Sequence, residues 1–220
     1  MPKLTLIIGN KNYSSWSLRS WVFMRHHQIT FDEKKILLDT ETTTQELSQY
    51  SSGIKVPVLQ DGNLEIWDSL AILEYISEQY CDSNGWPSDR NARAIARSVS
   101  AEMHSSFANL RSELPMNCRK QFNHINLSVE AAEEVTRVKE IWGMCREQFA
   151  GNGQWLFGEY SIADAMFAPI ALRFNGYSVP LEGVEKDYVQ SVLNQPCIIE
   201  WIAEAKAEKE IIHSEEIQLK

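Results

Sequence analysis

Hydrophobic and polar positions follow two regimes along this chain. In residues 1–80 short apolar runs alternate with helical periodicity. Leu4 to Ile8 is a run of strand formers, followed by the polar, turn-prone stretch Asn10 to Ser15. From Trp16 to His27, Leu18, Trp21, Val22 and Arg25 recur at helical spacing. Phe31 to Leu38 reads as a second strand with Phe31, Ile36 and Leu38 as its apolar members, and Asp39 to Ser52 is too polar for a core strand. Val56 to Leu59 reads as a third strand. Asp61-Gly62 signals a hairpin turn, and Leu64 to Trp67 is the antiparallel return. Asp68 or Ser69 then caps a helix whose apolar face is Ile72, Leu73, Ile76 and Tyr80. The order β-α-β then β-β-α predicts a mixed four-stranded sheet with helices on its faces, because a strand–helix–strand crossover gives a parallel pair and a hairpin an antiparallel one.

Cys81 to Arg90, with Asn84-Gly85, Pro87 and Asp89, reads as a linker. Beyond it strand signals fade. Ile95, Val99, Met103, Phe107, Leu110 and Leu114 predict one long helix ended by Pro115. Ser128 to Phe149 predicts a second, with Val135, Val138, Ile141 and Trp142 on one face. Ser161 and Asp164 form a capping box opening a third, and Pro196 to Ala207 reads as a further helix with proline near its start. The predicted architecture is an α/β domain over residues 1–81 and an all-α domain over residues 88–220.

Composition narrows the function classes. The 220 residues are 44% hydrophobic and 23% charged, which suits a water-soluble domain pair, and the net charge is -9. An acidic chain with scattered basic residues gains no general attraction for nucleic acid or for an anionic membrane. Cys81, Cys118, Cys145 and Cys197 form no Cys-x-x-Cys pair and no cluster with zinc spacing, so they read as free thiols in a reducing compartment, with no metal expected. No apolar run approaches the roughly 20 residues needed to cross a bilayer. The opening residues MPKLTLIIGN lack a basic segment, long apolar run and cleavage site, and a cytoplasmic protein is expected.

Three short stretches carry candidate chemistry. Pro57, at a strand start before a hairpin, is a candidate cis-peptide site; a cis bond would turn the backbone of Val56 outward to pair with an extended peptide-like ligand. An ordinary trans-proline is the simpler local reading. Asp68-Ser69 precedes a helix: Ser69 and the helix N-terminus can hold a carboxylate and Asp68 an ammonium, together one α-amino-acid end. Plain capping accounts for the pair as well. Asn12-Tyr13-Ser14-Ser15-Trp16-Ser17 lies between the first strand and first helix, where a serine hydroxyl can donate a hydrogen bond to a bound thiolate and lower that thiol's pKa; capping is again the alternative for any one serine.

The three stretches in this order resemble the soluble (cytosolic) glutathione S-transferases. The likeness is carried by Ile54-Lys55-Val56-Pro57-Val58-Leu59, by Trp67-Asp68-Ser69-Leu70-Ala71-Ile72-Leu73-Glu74-Tyr75, and by Gly158-Glu159-Tyr160-Ser161-Ile162-Ala163-Asp164 in the helical half. The resemblance implies a thioredoxin-like N-terminal domain binding glutathione as co-substrate, a helical domain shaping an electrophile pocket, and a cytoplasmic homodimer of bacterial, serine-type character. It implies that Val56 bonds the cysteinyl backbone with Pro57 cis, that Asp68 and Ser69 hold the γ-glutamyl end, and that Lys55 meets the glycyl carboxylate. Ser14 aligns with the catalytic serine, Ser15 is the adjacent alternative, and Tyr13 is a rival because other classes use tyrosine. Zeta, the class of maleylacetoacetate isomerase, is the nearest class. Its Ser-Ser-Cys-Ser-Trp-Arg motif corresponds to Ser14-Ser15-Trp16-Ser17-Leu18-Arg19, and Lys55 stands where that class tends to have glutamine. Trp16, His104, Phe107 and Arg111 are the candidate pocket residues; core packing is the simpler reading of Phe107, and capping or salt-bridged roles are the alternatives for His104 and Arg111. Conjugation to an electrophile is the expected activity; glutathione-dependent cis-trans isomerisation and a non-catalytic binding or regulatory role are the alternatives.

Overall fold

The computed structural model describes residues 4–123 and 126–217; residues 1–3 of the N-terminal reading lie outside that range. Strand β1 (Leu4–Ile8) is central, since nearly every residue in it is apolar and buried. It pairs in parallel with β2 (Asp32–Lys35) and antiparallel with β3 (Val58–Asp61), which turns through Gly62 into β4 (Leu64–Trp67). The strand order is β2-β1-β3-β4. This is the mixed four-stranded sheet that the crossover and the hairpin predict, in the thioredoxin-like arrangement that the resemblance implies. The second strand is shorter than its apolar pattern suggests. Its four residues are all charged and exposed, which suits a sheet edge that must not recruit another strand. The third strand begins at Val58, after Pro57, which has no N–H for a ladder. Alternation along β1 sends Leu4, Leu6 and Ile8 into the main core. Ile7 goes to a small cluster with Ile36, Leu47 and Val58 on the opposite face.

Helix α1 (Ser15–His26) covers the main-core face, α2 (Thr43–Leu47) is one turn in the polar connection, and α3 (Ser69–Tyr80) follows β4 directly. From residue 90 onward the chain is helical: α4 (Arg90–Ser105), α5 (Ala108–Glu113), α6 (Val129–Phe149), α7 (Ile162–Gly176), α8 (Gly183–Leu193) and α9 (Pro196–Ala207), then a single 3-10 turn at His213–Glu215. Every residue of α7 except Asn175 is buried. A helix apolar on all sides belongs in the middle of a bundle, and α7 packs against α1, α3, α4 and α8. One hydrophobic core therefore runs from the sheet through α1 and α7 into the helical half.

The long helix predicted from Ile95 to Leu114 is broken. Helix α4 ends at Ser105, and Phe107 takes a left-handed conformation (φ 65°) before α5 begins. The apolar spacing persists because Met103, Phe107 and Leu110 are all buried. What spacing cannot convey is the polar support for a second helix start: the Glu134 carboxylate accepts the Leu110 N–H at 2.7 Å and the Asn109 amide at 2.9 Å.

Candidate functional site

A cleft of about 880 Å³ opens where the turn before α1, the segment before β3, the start of α3 and the α4–α5 break converge. The C-terminal residues Ile212, Ser214 and Glu215 form part of its wall. Ten of the eleven candidate site residues line it: Ser14, Ser15, Trp16, Lys55, Val56, Pro57, Asp68, Ser69, His104 and Arg111. Phe107 does not. Its ring is 4% exposed and lies in the core, so it supports the cleft from behind.

The serines occupy different electrostatic positions. Ser14 is the N-cap residue of α1 but makes no capping bond with its side chain. Its Oγ lies 2.7 Å from Ser17 Oγ, which accepts the Gly9 N–H at 3.1 Å. Ser15, the first helical residue, accepts a hydrogen bond from Arg173 Nη2 at 3.2 Å. Both hydroxyls stand at the positive end of the α1 dipole, a favourable place for an anion.

Opposite them, the Val56-Pro57 bond is cis. Asp68 has φ 76°, an uncommon backbone conformation for a side chain bearing a Cβ, of a kind that clusters at ligand clamps. Its two oxygens divide their work. Oδ1 accepts the Leu70 and Ala71 N–H groups at 2.9 and 3.4 Å and caps α3, while Oδ2 faces His104 Nε2 at 3.1 Å. Ser69 is buried and accepts from Arg19 Nη1 at 3.5 Å.

Trp16 separates this pole from the helical wall. The guanidinium carbons of Arg19 and Arg111 lie 4.3 and 5.1 Å from its ring centroid, and the His104 ring meets it edge-on at 5.3 Å. Arg111 donates to the carbonyls of Met103 and His104 and so closes the end of α4. Burial pushes the Arg19 pKa down to about 9, with Arg111 and Arg173 adding to the effect. Burial and then Arg111 bring Arg173 to about 10. Both remain cationic at neutral pH.

Tyr13 is committed elsewhere. Its hydroxyl donates to Glu216 Oε1 at 2.5 Å and accepts from Arg119 Nη2 at 2.7 Å. Burial first, and then the Glu216 bond, raise its pKa. The turn preceding Tyr13 is clamped from the C-terminal side. The Glu208 carboxylate accepts the Lys11 and Asn12 N–H groups at 2.8 and 3.0 Å, and Trp201 Nε1 donates to the Lys11 carbonyl at 2.9 Å. The Lys11 side chain is buried against the Trp21 and Trp201 rings and ion-paired with Glu33 and Glu204.

Sequence reasoning missed Arg173 and the 212–215 wall. The signal for Arg173 was present: it is a lone charge in the apolar segment from Met166 to Phe174. The wall has no comparable signal, because it is defined by where the chain end folds.

Residues 13–79 match the family profile described as Glutathione S-transferase, N-terminal domain. Over 74 residues the chain is 36% identical to a dichloromethane dehalogenase from Methylophilus leisingeri, covering 32% of this chain and 28% of that protein. Over 162 residues it is 30% identical to glutathione S-transferase F14 of Arabidopsis thaliana, covering 69% of this chain and 59% of that protein. In neither case does the match reach two thirds of the relative's own length. A solved Burkholderia glutathione transferase homologue with bound glutathione has the same fold, with a TM-score of 0.69 and 23% identity over 94% of this chain and 100% of that one. Among the described residues, no helix is long and apolar enough to cross a membrane.

Proposed function

We propose that this chain, whose residues 13–79 match the glutathione S-transferase N-terminal domain and whose fold is that of a solved glutathione transferase homologue, is a glutathione transferase of the serine type. The tripeptide runs along the Val56 backbone. Its γ-glutamyl carboxylate meets Ser69 and the α3 N-terminus, its ammonium meets Asp68, and its glycyl carboxylate meets Lys55. Its sulfur approaches the Ser14–Ser15 hydroxyls. Hydrogen bonding to the ionised form lowers the thiol's pKa, and the proton leaves to water. The thiolate then attacks an electrophilic carbon held against Trp16, His104 and Arg111. A C–S bond forms as the leaving group departs with its electron pair. The protein contributes orientation and charge stabilisation, with no covalent intermediate on the enzyme.

One observation carries the reading. Two hydroxyls at a helix N-terminus, a Val-cis-Pro segment and an Asp-Ser helix cap, far apart in sequence, line the same cleft. Tyr13, the rival thiolate donor, already directs its hydroxyl hydrogen bond to Glu216. In keeping with this reading, the protein works in the cytoplasm as a homodimer.

Calorimetric titration with glutathione, followed by turnover assays with alkyl halides, aryl halides and epoxides, tests the proposal. Saturable binding and a conjugate with at least one electrophile are expected. Ser14→Ala and Ser15→Ala identify the donor: loss of the operating hydroxyl lowers kcat by about 100-fold while glutathione affinity is largely kept. Asp68→Ala weakens glutathione binding by about tenfold or more, the range expected for a charge-assisted bond. A wild-type protein that does not bind glutathione rejects the reading.

A further inference from the structure

We propose that Arg173 is the positioning residue for Ser15, turning its hydroxyl into a donor aimed at the sulfur bound in the cleft. This rests on the glutathione reading and deepens it by assigning the two serines unequal roles.

The argument starts from an anomaly in α7. A buried arginine in an otherwise apolar helix is costly unless its charge is matched. Arg173 is 6% exposed, and among the described residues it forms no ion pair. Its donors go to neutral acceptors: Nη1 to the carbonyls of Arg111 and Leu114, and Nη2 to Ser15 Oγ. Its Nε has no partner. Two of these bonds fix the guanidinium at the C-terminal end of α5. The third reaches across 158 positions of sequence to α1. A fixed cation at the cleft wall, bonded to no carboxylate among the described residues and influenced by Glu215 only through space, suits a site whose anion arrives with the ligand.

The consequence for Ser15 follows from its single proton. A hydroxyl whose oxygen accepts from a guanidinium cannot send its own proton back along that line, so the proton is left for another acceptor, and the bond polarises it. Ser14 differs, because its neighbour Ser17 Oγ, at 2.7 Å, can take its proton. Charges on the surrounding elements act on this corner of the cleft in both directions. Arg19 on α1 and Arg111 on α5 add positive potential, whereas Glu215 on the C-terminal wall and Asp68 before α3 subtract. Tyr177 and Cys118 also face Arg173, and burial raises the pKa of both, which keeps them neutral at physiological pH. His104, against Trp16 and paired to Asp68, and Lys55 also line the cleft.

The test reads the ionisation of bound glutathione, which a purely architectural arginine would not move. Thiolate ultraviolet absorbance is titrated against pH for the wild type, Ser15→Ala, Arg173→Met, Arg173→Lys and the Ser15→Ala/Arg173→Met double variant, each saturated with glutathione. Arg173→Met and Ser15→Ala should each raise the bound thiol's pKa by about one pH unit. The double variant should shift no further than the larger single change, as expected for groups acting as one unit. Lysine keeps the charge but lacks the planar fork that serves Ser15 and two carbonyls together. Arg173→Lys should therefore raise the pKa by a smaller amount, and it carries the test if Arg173→Met does not fold. Normal glutathione binding with an unmoved titration in Arg173→Lys and in any folded Arg173→Met, or additive shifts in the double variant, overturns this inference alone. Absence of binding by the wild type overturns it together with the parent reading.

Discussion

His26 and Ser15 sit at opposite ends of α1, and each is governed by its surroundings more than by its own chemistry. His26 stacks on Tyr160 at 3.9 Å, and its Nδ1 faces the Gln195 amide at 2.9 Å. Burial, and secondarily His27, press its pKa down to about 4 from the ordinary 6.5. His27 is lowered in the same direction by burial. The folded state thus favours neutral imidazoles. The His26 contribution to stability is complete above the unfolded value of about 6.5 and is lost as pH falls through that value toward about 4, and His27 acts in the same direction. Thermal unfolding followed from pH 7 to pH 5 should show a smaller loss of Tm for His26→Gln than for the wild type. Equal slopes would remove His26 from the account. At the same scale, Tyr13→Phe should retain far more turnover than the serine variant that loses the operating hydroxyl. A collapse of equal size would return the thiolate role to the tyrosine.

Elements were legible where local signals agree. The capping box of α7, the Asp68 cap of α3, the proline at the start of α9 and the Asp61-Gly62 hairpin were readable because each uses side chains within a few residues of one another. Helix α8 was not foreseen. It begins after Pro180 at Gly183, and only Tyr188, Val189 and Val192 are buried, a sparse stripe among charges. The break between α4 and α5 was also unreadable, since its support comes from Glu134 on α6. Two stability measurements probe these devices. In Asp164→Ala the N–H groups of Leu156 and Ser161, now bonded at 3.0 and 2.9 Å, lose a buried acceptor, and chemical denaturation should show a loss of about 2 kcal/mol or more. Glu134→Ala should cost about 1 kcal/mol, because its site is open enough for water to replace part of the bond. The larger loss in Glu134→Ala would contradict the ordering by burial.

Across the whole molecule, the turn that presents the serines is held by the end of the chain. Glu208 is the clearest case: its side chain is 4% exposed, it accepts two backbone N–H groups of the turn, and it also meets Lys35. Glu208→Ala should cost about 2 kcal/mol by leaving those donors unpaired. It should also lower kcat for glutathione conjugation more than it changes glutathione affinity, since it touches the turn and not the Val56 or Asp68 side of the cleft. Unchanged kcat would show that the turn is held without the clamp. The same long-range logic separates what sequence could and could not supply. Spacing and capping within the chain determined a mixed sheet followed by helices and offered the residues of the candidate site, because turn chemistry, strand alternation and helix starts are local preferences. Only tertiary structure decided that Arg173 meets Ser15, that Tyr13 is occupied by Glu216, that the predicted long helix breaks at Phe107, and that residues 212, 214 and 215 form a wall. Those pairings join residues on different elements, and their energies come from burial and unmatched charge that exist only once α7 and the chain end have packed against the sheet.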